Sequence, residues 1–332
     1  MDNERIINLS HGSGGSRTLK LIKEVFAGAF RTPQLLELDD AAVMDGETVF
    51  TTDSYVVRPI FYPGGDIGSL SIYGTVNDLV VMGARPLFVS SSFIIEEGFE
   101  IAALKKIALS MQDAAGRAGV SIVTGDTKVV ERGNADGLYI TTAGIGKLIV
   151  EPRPCRERIE AGNKIILTGY IADHGLAVIL ARGELNLTAD IKSDAAPLTG
   201  LLLPHLDGSV RFMRDPTRGG VAMVLNEAVD GMDFGILIEE EAIPLRRESG
   251  SLCEILGFDP LYIGNEGKAV IFVSGDSAES LLEKLRQHPL GKESSIIGEV
   301  TEGRPGKVVM QTATGGLRII DMPVGEQLPR IC

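Results

Sequence analysis

Cysteine is scarce in this sequence, which contains three in 332 residues: Cys155, Cys253 and Cys332. Their number and spacing match neither a disulfide framework nor a zinc site. Cys155 stands among prolines and arginines and is predicted to lie in a linker rather than to bind a ligand. Cys253 is predicted to lie in the core or on a helix surface. Only Cys332, the last residue, remains as a candidate for chemistry.

A basic excess is also lacking, because 32 Lys and Arg stand against 45 Asp and Glu, for a net charge of −13. This balance argues against a nucleic-acid or anionic-membrane surface. No apolar run is long enough to span a membrane, and residues 1–10 lack the apolar core of a signal peptide. A soluble, cytoplasmic protein is therefore expected. Any anionic ligand must meet local donors or metal ions.

With 332 residues and 44% apolar content, the chain is long enough for two domains of ordinary size. Prolines at positions 152 and 154 disfavour regular structure and place the junction near residues 150–160. The predicted domains are residues 1–155 and 156–324, followed by a tail of residues 325–332. Both halves mix strands and helices, which indicates an α+β fold.

The hydrophobic pattern predicts strands and helices in both halves. The predicted strands are residues 48–57, 87–95, 121–124, 138–145, 164–168 and 269–274, with a hairpin of residues 307–312 and 317–320. The predicted helices are residues 70–83, 100–119, 174–182 and 277–288.

Carboxylates in the first half stand at predicted strand ends and helix starts. Asp40 precedes a strand, Asp53 interrupts one, and Asp126 in Gly125-Asp126-Thr127-Lys128 is predicted to follow the end of one. Any one of these acids is more simply a surface or capping residue. Asp78 is harder to explain in that way, because the helix around it is strongly apolar and a buried unpaired charge is costly. A metal ion or another cation is the natural partner.

Several glycine-rich segments match neither a phosphate loop nor a dinucleotide fingerprint. Two of these segments, one with Gly64-Gly65 and one with Gly219-Gly220, are candidates for a nucleotide site. In the second segment, Asp215 is predicted to cap a helix that Pro216 begins, with free amides beside Arg218 to meet phosphate; an ordinary helix start is the alternative. His11 stands beside further glycines, and its role is left open. It either contacts phosphate or the tail, or it is a structural or solvated residue.

Cys332 ends the sequence in a position that suits a movable carrier. Gly325 is a predicted hinge, and roughly seven residues at about 3.3 to 3.6 Å each would carry the sulfur about 23 to 25 Å. The thiolate is the nucleophilic form, and Arg330 would favour it. The alternative is a disordered tail that ends in cysteine without a function.

Read in order, these motifs closely resemble the hydrogenase maturation factor HypE family over essentially the whole chain. This family is part of the ATP-binding superfamily that includes aminoimidazole ribonucleotide (AIR) synthetase and selenophosphate synthetase. The most specific segments are residues 11–15, 52–57, 61–68, 74–78, 125–133, 215–220 and 265–268, and the Pro-Arg-Ile-Cys end. One departure is Leu38 before Asp39-Asp40, where many relatives have glycine, so Asp40 is favoured over Asp39.

The resemblance implies a specific reaction. A partner carbamoyltransferase, HypF, places a carbamoyl group on Cys332, and the enzyme dehydrates this thiocarboxamide to a thiocyanate with ATP. The cyanide then passes to the HypC–HypD complex for the iron of [NiFe]-hydrogenase. The implied fold is PurM/AIR synthetase-like: a mixed N-terminal sheet that dimerises through its strands, a C-terminal α/β sandwich and a flexible tail. ATP is expected near the homodimer interface.

The resemblance also implies roles for individual residues. Magnesium is expected on Asp40, Asp53, Asp78 and Asp126, assisted by Asn77, against the phosphates of ATP. Lys128 would stabilise the transferred phosphoryl group or steer the carboxamide oxygen, unless it is a plain surface lysine. Glu266, whose simpler interpretation is a turn residue, is the predicted general base, and Arg218 would orient the phosphate or Glu266. The glycine pairs at 64–65 and 219–220 complete the predicted ATP site.

Two other functions remain open at this point. One is a different ATP-dependent phosphotransferase of the superfamily, such as a small-molecule kinase or selenophosphate synthetase. The latter normally carries its reactive residue near the start of the chain, and this sequence has no cysteine before Cys155. The other is a non-catalytic nucleotide-sensing scaffold whose tail docks onto partners.

Overall fold

The structure is a computed structural model that describes residues 6–324 and 331–332. The predicted hinge at Gly325 and the predicted contribution of Arg330 therefore lie outside the described residues. Within the described residues, no helix has both the length and the apolar character that crossing a membrane requires.

A five-stranded mixed sheet forms the centre of the first half. Its strand order is β1-β2-β7-β5-β6, with β5 and β6 parallel and the other neighbours antiparallel, while β3 and β4 form a separate hairpin. The strands are β1 Ala42–Met44, β2 Thr48–Tyr55, β3 Phe61–Tyr62, β4 Gly65–Asp66, β5 Ala84–Glu96, β6 Ser121–Val130 and β7 Leu138–Leu148.

Three short helices precede this sheet in the chain, and two longer helices lie between its strands in sequence and pack against it. They are α1 Gly15–Leu21, α2 Gly28–Phe30, α3 Pro33–Glu37, α4 Ile67–Val81 and α5 Ile101–Ala118. The carboxylate of Asp66 caps α4 by accepting hydrogen bonds from the amides of Gly68 and Ser69. α4 is buried almost all round because it packs against both the sheet and the second half. Its lack of a polar face follows from this position.

The second half is an α/β sandwich around a seven-stranded sheet of order β14-β13-β10-β12-β8-β11-β9. Its strands are β8 Lys164–Leu167, β9 Val210–Arg214, β10 Gly235–Glu239, β11 Val270–Val273, β12 Ser295–Thr301, β13 Val308–Gln311 and β14 Leu317–Ile320. Its helices are α6 Asp173–Ala181, α7 Thr199–Leu202, α8 Gly220–Val229, α9 Arg247–Leu256 and α10 Ala278–Arg286.

Both faces of this second sheet are covered. In β11, Val270 and Phe272 belong to the core that contains α8, whereas Ile271 and Val273 belong to the core on the opposite face. A strand buried on both sides has no polar alternation, so β11 is a continuous apolar run. The core around Ile271 continues into the first half, which joins the two sheets through α4.

The side-chain amide of Asn77 ties α4 to the second half. Its nitrogen donates to the carbonyls of Ala196 (3.0 Å) and Glu266 (3.2 Å), and its oxygen accepts from the amide of Leu198 (2.9 Å). Because these bonds use the whole amide group, Asn77 holds the loop that carries Glu266, just before β11, beside α4.

The predicted strands and helices agree with the structure except at two glycine-containing motifs. The strand predicted to end at Thr124 continues to Val130, so residues 125–128 lie inside β6, which pairs in parallel with β5 along its length. A Cβ at Gly125 would lie 2.1 Å from the carbonyl oxygen of Ser91. This glycine therefore permits close approach of two strands and does not mark a strand end.

The second correction concerns the start of α8. The helix begins at Gly220, not at Pro216, and Asp215 does not cap it. Gly219, the residue before the helix, has φ of +77°, and Gly220, its first residue, has φ of +61°, so the right-handed helix does not extend back past them. Residues 215–218 therefore form a loop that leaves the side chain of Asp215 available for another purpose.

Candidate active site

A cavity of about 840 Å³ lies between the two halves. One wall is acidic and is formed by Asp40, Asp53, Asp78, Asp215 and Glu266. Another wall is apolar and is formed by Leu19, Leu21, Ile22, Phe26, Leu35 and Leu38. Its volume is in the range of a small-molecule site, and its two-sided lining suits a ligand with an anionic part and an apolar part.

Three carboxylates from distant parts of the chain converge in this cavity. Asp40 lies two residues before β1, Asp78 lies in α4 and Asp215 directly follows β9. One carboxylate oxygen from each lies within 4.8 Å of the others. The hydroxyl of Thr51 donates to Asp78 Oδ2 at 2.8 Å and lies 3.0 Å from the main-chain oxygen of Asp40. Hard carboxylate oxygens are the ligands that Mg²⁺ prefers, so this donor set fits that ion.

The electrostatics of the three acids also favour a cation. Burial raises the pKa of Asp78 and of Asp215 well above the usual range, and neighbouring aspartates raise both further. Burial raises the pKa of Asp40 to about 6, although Arg214 opposes this effect. Buried like charges are costly when ionised together, and a divalent cation between them would favour the ionised forms.

Arg214 fixes Asp40 from the second half of the molecule. Its Nε donates to Asp40 Oδ1 at 2.7 Å, and its other nitrogens donate to Glu227 Oε2 at 2.5 Å and to the carbonyl of Leu38 at 3.0 Å. Asp39 instead accepts from Arg153 at 3.1 Å. The neighbouring acids thus point to different partners, and it is Asp40 that joins the acidic cluster.

Asp53 lies on the same wall and is positioned by a tyrosine. The hydroxyl of Tyr55 donates to Asp53 Oδ2 at 3.2 Å, and both residues line the cavity. A Cβ at Gly74 in α4 would lie 2.2 Å from this hydroxyl. Only glycine at position 74 leaves room for the tyrosine, so α4 and β2 can approach closely here.

Cys332 lines the same cavity, so the last residue docks into its own chain. Arg218 also lines the cavity, and the negative charge of Cys332 is the largest cause that raises the pKa of this guanidinium. The last residue and Arg218 therefore interact electrostatically within the cavity.

Glu266 has the most unusual environment of the predicted site residues. It is buried at the cavity wall, and its Oε1 has no hydrogen-bond partner among the described residues. Burial raises its pKa well above the usual range, followed by the effects of Asp215 and Asp194, while Arg218 lowers it. An unsatisfied buried carboxyl with a perturbed pKa is typical of a group that transfers protons.

The structure places the remaining predicted residues outside the cavity lining of this chain. Asn77 binds main-chain groups, as described above. Gly64 and Gly65 form the turn of the β3–β4 hairpin, where Gly64 has φ of +93°. This turn lies against the backbone of Ser193. Gly219 and Gly220 end the loop that carries Arg218. Their contribution is to shape the loops and not to line the cavity.

Asp126 and Lys128 are exposed on β6 and form an ion pair of 2.7 Å with each other. Neither lines the cavity of its own chain. The two residues lie beside each other, as expected, but within one chain they do not join the other predicted acids. β6 is the outer strand of its sheet, and its side chains are exposed almost throughout.

Sequence reasoning missed Asp215 as the third acid, and it also missed Arg214. The available signal was an acid directly after the short segment that forms β9, but the following proline directed the interpretation towards a helix cap. His11 is buried, lines the cavity and bonds to Asn8 through Nδ1.

Comparisons with known proteins show the family of this chain. Residues 38–148 match the model of the AIR synthase related protein N-terminal domain, and residues 160–311 match that of the C-terminal domain. The chain is 47% identical to carbamoyl dehydratase HypE of Rhodobacter capsulatus over 98% of both chains.

Solved structures give the same result. The chain is similar to a HypE crystallised with ATP, with a TM-score of 0.82, 44% identity and coverage of 98% of this chain and 100% of that chain. It is also similar to a chain of a HypE–HypF complex, with a TM-score of 0.88, 46% identity and coverage of 91% and 99%.

Proposed function

Because the chain belongs to the HypE family of AIR synthase related proteins, we propose that it is an ATP-dependent carbamoyl dehydratase of hydrogenase maturation. Its substrate is a carbamoyl group bound to the sulfur of Cys332 as a thiocarboxamide. The presence of this cysteine in the acidic cavity is the observation that carries the proposal. The product is a thiocyanate that supplies cyanide to the iron of [NiFe]-hydrogenase.

The chemistry requires activation of the carbamoyl oxygen, because that oxygen is a poor leaving group. The oxygen attacks the γ-phosphoryl group of ATP, ADP leaves, and one proton is lost from the nitrogen. The second nitrogen proton is then removed, the C–O bond breaks and phosphate leaves with the oxygen. Overall, the thiocarboxamide and ATP give the thiocyanate, ADP and phosphate, so ATP drives the loss of water.

Asp40, Asp78 and Asp215 are the residues that would hold Mg²⁺, with Asp53 beside them on the acidic wall. A bound Mg²⁺ would neutralise charge on the ATP phosphates during phosphoryl transfer. Of the four aspartates expected from the sequence, this assignment keeps Asp40 and Asp78 as ligands, leaves Asp53 beside them and adds Asp215. The convergence of the carboxylate oxygens and the burial of the acids support it.

Glu266 is the general base that takes the nitrogen protons. Its raised pKa makes the carboxylate a stronger base than an exposed glutamate, and its unsatisfied Oε1 leaves room for a new hydrogen bond. Arg218, whose charge interacts with those of Cys332, Asp53 and Glu266, orients the phosphorylated oxygen. The shared cavity lining of these two residues and Cys332 supports both roles.

A homodimer completes the site. β6 is an outer strand, and Ile122, Val123 and Val129 on it are 36%, 57% and 68% exposed. An exposed apolar edge of this length is a template for pairing with a second strand. Pairing through β6 would carry Asp126 and Lys128 towards the cavity of the second copy, where the ammonium would stabilise the transferred phosphoryl group.

The carbamoyltransferase HypF is the partner that loads Cys332, and a HypC–HypD complex receives the cyanide. The first partner is supported by the similarity to a HypE crystallised with HypF. A cytoplasmic location is supported by the cysteines, none of which forms a disulfide.

Intact mass spectrometry tests this function. The protein is mixed with the carbamoyltransferase, carbamoyl phosphate and ATP, before and after a second addition of ATP, beside Cys332→Ala and the control Cys155→Ala. We expect Cys332 to gain the mass of one carbamoyl group and then to lose the mass of one water. No adduct with a demonstrably active partner would refute the dehydratase; ATP consumption that persists in Cys332→Ala would indicate a phosphotransferase instead.

A further inference from the structure

A buried histidine contacts the backbone next to Cys332. His174, in the first turn of α6, is fully buried, and its ring packs edge-on against that of Tyr62. Its Nε2 lies 2.7 Å from the carbonyl oxygen of Ile331, and its Nδ1 lies 2.8 Å from the hydroxyl of Ser193. Both ring nitrogens are therefore used, one of them on the tail.

The partners define the tautomer of this ring. The carbonyl of Ile331 can only accept, so Nε2 carries the proton and Nδ1 accepts from the hydroxyl of Ser193. That hydroxyl oxygen in turn accepts from the amide of Ala195 at 3.1 Å. Burial lowers the pKa of His174, which favours the neutral ring that this chain of hydrogen bonds needs. With the tail docked, the neutral ring therefore serves as a donor to the carbonyl of Ile331.

The side chain of Ile331 is held as well as its carbonyl. It is 5% exposed and belongs to the core shared by the two halves. A Cβ at Gly264 would lie 2.6 Å from Ile331 Cδ1, so the glycine forms one wall of a socket. A polar clamp and an apolar socket therefore act on the residue directly before Cys332.

We propose that His174 is a positioning residue which, with Ser193, holds Ile331 so that Cys332 remains in the cavity beside Arg218 and Glu266. The catalytic meaning of this placement rests on the proposed function, whereas the docking of the tail does not. Loading of Cys332 by a partner enzyme needs the tail undocked, and dehydration needs it docked. His174 consequently affects the two steps in opposite directions, which a merely structural residue would not do.

Two substitutions distinguish the effect of the hydrogen-bond donor at Nε2 from the effect of losing the imidazole ring. In His174→Gln the side-chain amide nitrogen can take the place of Nε2 and donate to Ile331, whereas in His174→Asn the shorter side chain reaches only towards Ser193. Cys332 is labelled with a maleimide on a polyethylene glycol too large to enter the cavity, and the labelled residue is identified by peptide mass spectrometry. The labelling rate then reports the undocked fraction.

We expect His174→Asn to label Cys332 about tenfold faster and to dehydrate a preformed carbamoyl adduct about tenfold more slowly, as expected for loss of a buried hydrogen bond. Carbamoylation should proceed at least as fast as in the wild type. His174→Gln should restore both rates towards wild type. Ile331→Ala should act like His174→Asn, and Ile331→Val, which keeps most of the apolar side chain, should not.

Labelling of His174→Asn and Ile331→Ala at the wild-type rate would overturn the proposal, as would a His174→Gln protein that behaves like His174→Asn. Another outcome is that His174→Asn and Ile331→Ala label faster than the wild type while none of these proteins, the wild type included, dehydrates the adduct. That outcome would support tail docking and refute the proposed function. The two failures are thereby distinguishable.

Discussion

Thr51 donates a hydrogen bond of 2.8 Å to Asp78, which joins β2 to the buried helix α4 at the acidic wall of the cavity. The bond orients a carboxylate that a strongly apolar helix carries into the interior. An asparagine at position 78 would keep this bond, because its amide oxygen can accept the same hydrogen bond from Thr51.

Asp78→Asn should make the metal-free protein more stable and remove its response to Mg²⁺. The substitution relieves repulsion among buried carboxylates, and we expect a gain of about 1 to 2 kcal/mol, or roughly one pKa unit of interaction. Thermal denaturation with EDTA and with MgCl2 measures both effects. Asp39→Asn is the control, because Asp39 pairs with Arg153 outside the cluster. An unchanged Mg²⁺ response in Asp78→Asn would exclude this metal site.

Glu266→Gln should load Cys332 normally but dehydrate the adduct about 10² to 10⁴ times more slowly, the usual contribution of a general base. Glutamine has nearly the same shape and cannot take up the nitrogen protons. The adduct and its product are followed by intact mass after addition of ATP. ATP binding, measured by calorimetry, is the control and should be retained. Dehydration at the wild-type rate would eliminate Glu266 as the base.

Val123→Lys together with Val129→Lys should convert a dimer into a monomer. Both residues are exposed on β6, and burying two added ammonium groups at a paired edge is unfavourable. Light scattering after size exclusion measures the mass. Leu109→Lys is the matched control, because Leu109 is 69% exposed on α5, outside the sheet. A monomeric wild type, or a variant that stays dimeric, would contradict pairing through β6.

His174 should make the stability of the protein depend on pH below about 6.5, its pKa when exposed. Above that pH the residue is neutral in both states and contributes no pH dependence. Below it the unfolded chain binds a proton that the folded chain does not, because burial lowers the folded pKa. Stability then falls by up to about 1.4 kcal/mol per pH unit.

His174→Gln lacks this proton uptake, so any stability advantage of the wild type should shrink between pH 7 and pH 5 and stay constant between pH 7 and pH 8. Urea unfolding midpoints at these pH values measure the difference. A difference that does not change on acidification would mean that His174 is not held neutral.

The regular elements were predictable because their signals are local. The apolar run of α4 and the alternating strands around it follow from residues adjacent in sequence, and the structure confirms them. Gly125 and Gly219 were interpreted less well, because glycine signals a loop locally whether it permits a turn or a close approach. In β6 the deciding contact is with Ser91, which lies more than 30 positions away in the sequence.

In the site, too, the sequence indicated individual residues but not the contacts between distant ones. The sequence indicated Asp40, Asp53, Asp78, Glu266, Arg218 and Cys332, and all six line one cavity. It did not indicate that Asp215 joins Asp40 and Asp78, or that Asp126 and Lys128 stand apart on an outer strand. Those relations depend on which faces meet when two sheets pack around α4.

By itself, the sequence determined an α+β chain with an acidic site and a reactive cysteine, because composition, hydrophobic period and motif chemistry are local properties. Only the tertiary structure decided that Asp40, Asp78 and Asp215 share one cluster, that Arg214 holds Asp40, and that His174 and Gly264 hold the residue before Cys332. These contacts join residues far apart in the chain, and packing of the two halves, not chain proximity, sets their distances.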